Sequence, residues 1–267
     1  LSVPSVGAGT ANTEFEVITG MNLDFFGPGE YPYKTVLQKE VCESLCFDLK
    51  EMGYHAHAIH NNSGTFYDRY TVFSQLGFDT FTSLEYMSDY ETTYMGWAKD
   101  KVLTEQIGTV LDSTTGADMI YTISVQGHGA YPEEQVIESP DVTVTGLADE
   151  GSTNAMEYYI QQIHEMDEFV GELVSYLKNR GEETILVMYG DHLPSLGLTE
   201  ENLENGNLYQ TEYVIWDNIG LTKTERNIEA YQLGAYVLGK AGIQKGTMFR
   251  YHQSYLEESV HTKDEKE

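Results

Sequence analysis

The sequence predicts an α/β domain, a mostly parallel sheet flanked by helices on both faces. Apolar runs of strand length alternate with helix-period patterns along the chain, and strands joined through helices return in parallel across a face of the sheet. No apolar run approaches the roughly 20 residues of a membrane span, because the longest, at 120–125 and 184–189, have strand length. A chain of 267 residues can bury roughly three quarters of its unfolded surface, which suffices for one large core. The expected organisation is therefore a single domain over 1–260 and a disordered tail over 261–267.

In chain order, the pattern predicts a helix over 34–52, strands over 54–60 and 118–126, a helix over 154–180, strands over 184–189 and 212–217, and a helix over 228–241. Strand alternation puts His55 and His57 on one face and His60 on the other, so the three cannot share one metal ion. The long helix is the most regular: Met156, Ile160, Ile163, Val170, Val174 and Leu177 follow helical spacing and Gly181 closes it. Cys42 and Cys46, spaced i,i+4, read as two small buried thiols, since helix geometry disfavours a disulfide between them.

Charge narrows the partners. Lys and Arg number 15 against 43 Asp and Glu, a formal net charge of −28. Such a surface repels the phosphates of nucleic acid and of anionic lipid headgroups, so nucleic-acid binding is excluded.

Ligands of a parallel sheet bind beyond the carboxyl ends of its strands, which directs attention to His60-Asn61-Asn62, Gly127-His128-Gly129 and Gly190-Asp191-His192. Asp191 and His192, lifted out of the sheet by Gly190, can turn toward one divalent cation or form an ordinary turn. Thr10 follows Gly7-Ala8-Gly9 and opens a helical stretch, which suits either attack on an anion or a helix cap by Thr10 or Asn12. Arg69, beside Tyr67 in a loop over the sheet, reads as a phosphate fork or as a surface salt bridge.

Taken in order, Gly7 to Gly20 (Gly-x-Gly-Thr-x-Asn-x-Glu-Phe-x-x-x-Thr-Gly), His60-Asn61-Asn62, Phe66-Tyr67-Asp68-Arg69, Phe78-Asp79-x-Phe81, Gly127-His128 and Tyr189-Gly190-Asp191-His192 form a pattern over 6–241. It resembles the extracellular catalytic domain of lipoteichoic acid synthase and related phosphoglycerol transferases, in the sulfatase and alkaline phosphatase superfamily. The resemblance implies a threonine nucleophile at Thr10 that also ligates the metal. Asp191 and His192 would be further ligands of one divalent cation, Mn²⁺ or alternatively Mg²⁺. His60, Asn62, Tyr67, Arg69 and His128 would hold the phosphate and glycerol of the substrate. Tyr67 and Asp68 stand where the best-known members carry Trp and Asn.

The implied reaction takes glycerol phosphate from a phosphatidylglycerol-type lipid headgroup and passes it to the hydroxyl of a glycerophosphate polymer or glycolipid. It would run at the extracellular face of the cell membrane, with segments absent from this chain supplying the tether. A catalytically inactive or hydrolytic domain that binds glycerophosphate polymers is the alternative. The family also supplies a Glu ligand from a strand upstream of the threonine segment. That acid is expected to precede Leu1, leaving weak metal binding and either an exposed sheet edge or a groove beside Tyr121 and Val187. A sulfatase proper is disfavoured, because neither cysteine begins a Cys-x-Pro-x-Arg sequence.

Overall fold

In the computed structural model, the backbone is described for residues 1–264 and the side chains for 1–256. Five strands run β1 (His55–His60), β2 (Thr80–Ser83), β3 (Asp118–Ile123), β4 (Ile185–Tyr189) and β5 (Tyr213–Asp217). Seven α-helices are described: α1 (Thr10–Thr19), α2 (Leu45–Lys50), α3 (Arg69–Gln75), α4 (Val102–Ser113), α5 (Glu150–Arg180), α6 (Ala230–Lys240) and α7 (Thr247–Asp264).

The strands form two sheets. A parallel sheet has the order β2-β1-β3, while β4 and β5 pair antiparallel, with Val187 opposite Ile215. Alternation along the strands separates two core layers. Ala56, Ala58, Met119, Tyr121 and Ile123 pack with Phe15, Ile18 and Phe73, residues of α1 and α3. Ile59 and Ile120 pack on the opposite face with residues of α4 and α5, including Leu103, Ile107, Phe169 and Leu173. The sheet is therefore flanked by helices on both faces, as predicted.

β3 and β4 share neighbours without sharing a ladder. Ile120, Leu186 and Trp216 pack against the same α4/α5 core layer, and Tyr121, Val187 and Tyr189 against a further cluster that includes Val17 and Leu233. Among the described residues β3 pairs only with β1 and β4 only with β5. The phenols of Tyr121 and Tyr189 hydrogen-bond to each other between the two strands. Tyr121 and Val187 are the residues beside which a groove was expected.

Several boundaries differ from the prediction. The helix expected over 34–52 shrinks to Leu45–Lys50, because Ser44 caps it: its Oγ accepts from the Cys46 amide and donates to Leu76 O. Cys42 lies before this helix, with its amide bonded to Gln75 O, and both cysteines are buried free thiols. The strand expected over 118–126 ends at Ile123, since Ser124 and Gln126 turn to bond the loop containing Asp100. β2, α3, α4 and α7 were not anticipated. The tail expected from His261 is helical through Asp264 as part of α7, and 265–267 lie outside the described residues.

α5 begins where Asp149 accepts from the Ser152 amide and ends at Gly181, whose N–H donates to Leu177 O. α1 is nearly enclosed and packs closely on α6. That approach depends on Gly234: a Cβ there would sit 2.9 Å from Val17 O and 2.9 Å from the Phe249 ring.

Gly234→Ala is expected to lower the unfolding free energy by about 1–3 kcal/mol, the usual cost of overpacking, in chemical denaturation. A change within error would mean that α1 and α6 separate freely. Hydrogen exchange should show roughly half of the β3 and β4 amides unprotected, because alternate N–H groups face each strand's edge. Uniform protection would contradict the two-sheet arrangement.

Candidate active site

Thr10 is the first residue of α1, and Gly9 before it sets the geometry. Gly9 has φ 106°, and a Cβ there would lie 2.7 Å from Ser5 Oγ, so a side chain is excluded on two grounds. Neither Thr10 nor Asn12 caps the helix: Gly9 occupies that position and no side chain covers the first turn. The N-terminus of α1 is thus open to an anion.

α1 is fixed to the end of β4 by two bonds. Thr13 Oγ1 donates to Asp191 O at 2.7 Å, and the Gly7 amide donates to Leu193 O at 3.0 Å. They bring Thr10 Oγ1 to 3.3 Å from His192 Nε2, which lies 3.5 Å from Asp191 Oδ2. The nucleophile and both ligands named from sequence therefore converge.

The histidines at the site share one device. His60 Nδ1 bonds Ile123 O at 2.9 Å, His128 Nδ1 bonds Gly129 O at 2.6 Å, and His192 Nδ1 bonds Leu193 O at 2.8 Å. A carbonyl oxygen only accepts, so each Nδ1 carries the proton, and in the neutral ring Nε2 keeps its lone pair. At His192 that lone pair has the Thr10 hydroxyl at 3.3 Å and the Asp191 carboxylate at 3.5 Å. A donor set of carboxylate, imidazole nitrogen and hydroxyl suits a divalent cation. Among the described residues no three His, Cys, Asp or Glu side chains gather to hold one.

One expectation needs correction. Arg69 is not an open phosphate fork: it is 1% exposed, its Nη2 lies 2.5 Å from Glu14 Oε1, and its Nη1 donates to Phe66 O. Tyr33 donates to the same carboxylate at 2.9 Å. The surplus of acid finds Arg69 in the core instead of at the surface. His60 is only 3% exposed. Burial, assisted by the nearby positive charge of Arg69 and by His128, pushes its pKa down to about 3. It offers the cleft a neutral acceptor.

Tyr67 is held at φ 56° and stacks on Tyr31, with ring centroids 6.3 Å apart and the Arg69 guanidinium 5.2 Å from its own centroid. Asn62 stands at the end of β1, but its Oδ1 accepts from the Ser63 amide and its carbonyl from Leu84 N, which makes it a turn residue. His128 packs edge-on against Trp97 at 5.1 Å.

Sequence reading missed Glu14, Tyr31, Trp97, Tyr131 and Tyr159. Glu14 had a signal, since it lies four residues from Thr10 and so shares its helix face. The aromatic residues sit in loops or on a helix far away in sequence, with no spacing to connect them.

The Sulfatase family model matches residues 3–243. A proposed cyclic beta-1,2-glucan modification protein of Rhizobium meliloti (strain 1021) is 30% identical over 257 residues, covering 90% of this chain and 40% of that protein. Lipoteichoic acid synthase of Staphylococcus saprophyticus is 28% identical over 153 residues, covering 54% of this chain and 22% of that protein. The chain thus spans less than half the length of either relative. Streptococcus pyogenes phosphoglycerol transferase GacH, solved in complex with sn-glycerol-1-phosphate, shares the fold. Its TM-score is 0.76 at 23% identity, covering 90% of this chain and 63% of that one.

Arg69→Ala is expected to cost about 3–5 kcal/mol in denaturant unfolding, because it strands the buried Glu14 carboxylate. Pairing Glu14→Gln with Arg69→Met should cost less than Arg69→Ala alone. The reverse order would show that the ion pair is not what holds α1 to this loop.

Proposed function

The chain belongs to the sulfatase family, and from that premise we propose that it is a phosphoglycerol transferase with Thr10 as nucleophile. The supporting observation is the Thr10 Oγ1 position: it heads an uncapped helix and lies 3.3 Å from a His192 nitrogen whose lone pair is fixed toward it. The family relatives named above support the reaction class.

Thr10, Asp191 and His192 would hold one Mn²⁺, or Mg²⁺ in its place. Bound there, the ion would lower the pKa of the Thr10 hydroxyl and offset charge on the phosphoryl oxygens. Thr10 Oγ1 forms a bond to phosphorus while the bond to the lipid's diacylglycerol oxygen breaks, leaving glycerophosphate on the threonine. The open first turn of α1 supplies N–H groups to the phosphoryl oxygens. Tyr67 and Tyr31 would flank the glycerol, and the His60 and His128 Nε2 atoms would accept from its hydroxyls. An acceptor hydroxyl then attacks the same phosphorus, and the Thr10 bond breaks. Over both steps the acceptor's proton ends on diacylglycerol, so atoms balance.

The donor is proposed to be a phosphatidylglycerol-type lipid at the extracellular face of the membrane. Among the described residues no helix is long and apolar enough to cross a membrane. With a net charge of −28, attraction to an anionic leaflet cannot supply the encounter, so tethering through other segments would do so.

A second reading, a domain that hydrolyses or only holds glycerophosphate groups, draws on the neutralised Arg69, which leaves its charge committed to Glu14. One assay separates the readings. With Mn²⁺ and phosphatidylglycerol in detergent micelles, the transferase reading expects a glycerophosphate adduct on Thr10 by mass spectrometry and an acceptor-dependent product. Thr10→Ala should lower turnover roughly 10⁴-fold or more. Water as the only acceptor would favour hydrolysis, and no adduct and no turnover would favour a binding domain.

A further inference from the structure

The charge of Arg69 is matched by Glu14, so it is not left over for a substrate anion. Another cation stands one ring further out. Tyr31 stacks on Tyr67 with centroids 6.3 Å apart; the Arg69 guanidinium lies 5.2 Å from the Tyr67 centroid and the Lys34 ammonium 4.9 Å from that of Tyr31. Tyr31 also reaches the turn before the nucleophile, since its hydroxyl is 3.6 Å from where a Gly9 Cβ would stand. A single phenol therefore spans from Lys34 to the residue before Thr10.

The local sequence makes this placement. Lys34 N donates to Tyr31 O at 2.8 Å, closing a turn that returns the Lys34 side chain over the ring three residues earlier. Within that turn Tyr33 is fully buried and donates to Glu14, which pins the segment to α1. Glu30, the acid nearest to Lys34 in sequence, is taken up elsewhere: its carboxylate accepts from the Gly27 amide at 3.1 Å and from Thr35 Oγ1 at 2.8 Å. Lys34 is exposed and, among the described residues, makes no ion pair, although acids outnumber Lys and Arg by 43 to 15.

We infer that Lys34 is a further substrate-binding residue, its ammonium taking a phosphate oxygen of a glycerophosphate ester that lies along the Tyr31 ring toward Thr10. The inference rests on the transfer reading and deepens it, by giving the site a protein cation that no carboxylate has claimed. An exposed contact with a ring face is weaker than a charge-assisted hydrogen bond to phosphate, and the flexible four-carbon stem lets the ammonium exchange one for the other. The net charge of −28 repels such a ligand from most approaches, so a local positive charge beside the cleft aids its capture.

Calorimetric titration with Mn²⁺ present reads this as binding, without turnover. Two probes are used: glycerol 3-phosphate, a free monoester, and dihexanoyl phosphatidylglycerol below its micelle concentration, a lipid diester. Lys34→Met is expected to weaken binding about tenfold, the size of one hydrogen bond to a charged group, and Lys34→Arg to bring it back to within about threefold. Lys39→Met removes an equal charge from the same segment and should change affinity by less than about twofold. Both lysines are exposed, and circular dichroism checks that the variants fold. A loss confined to the diester supports the inference with a lipid headgroup as ligand, and one confined to the monoester supports it with a free phosphate. Unchanged affinity for both probes in Lys34→Met overturns it, as does an equal loss in Lys39→Met or no binding of either probe by the unmutated protein. Lys34-dependent binding without a Thr10 adduct in the assay above would instead overturn the transfer reading and leave an anion-binding site.

Discussion

The buried contact between Glu14 and Arg69 is the constraint from which the site follows. It ties the middle of α1 to the start of α3, two elements far apart in sequence that lie on the same face of the sheet. Thr10 stands one helical turn before Glu14, so fixing the carboxylate fixes where the hydroxyl can point. Tyr33 adds a third bond from the loop after α1, and the ring of Tyr67 covers the guanidinium. A buried ion pair of this kind adds little net stability compared with apolar packing, yet breaking one side is expensive. What it provides is a single arrangement of α1 relative to the loop after β1.

α1 and the turn before it are also held through main-chain groups of the segment after β4, by way of Thr13 and Gly7. The helix thereby brings the ends of β1 and β4 to one place although these strands belong to separate sheets. The network around Asp100 does the same for β1 and β3. Its carboxylate accepts from Asn61 Nδ2 at 2.9 Å and Ser124 Oγ at 2.7 Å, and its amide donates to Gln126. His60, His128 and Trp97 all sit within three residues of a member of this network, so the cleft is built on a polar lattice below it.

Much of this was legible from residues alone. Strands ending in His60 and just before Gly190-Asp191-His192 could be read because apolar runs stop where polar residues begin, and ligands of a parallel sheet bind beyond such ends. The role of Arg69 was not legible, because a surplus of carboxylates argues equally for a surface bridge and for a buried one. Only packing shows that Glu14 is enclosed with it. α4 and α7 escaped notice because their apolar residues are diluted by polar ones, and tertiary contact outweighs so weak a pattern. β2 was missed because four residues carry too little alternation to separate from a loop.

The three imidazoles have a property in common that bears on how this site tolerates sequence drift. Each is oriented by a peptide oxygen, which every amino acid possesses, and not by a partner side chain that a substitution could delete. Orientation is encoded in the path of the chain. Point changes along the anchoring loops therefore leave the rings in register, whereas adding or removing a single residue there would shift the oxygen and release the ring. Distant relatives can exchange most of their residues around such a centre so long as the loops keep their length.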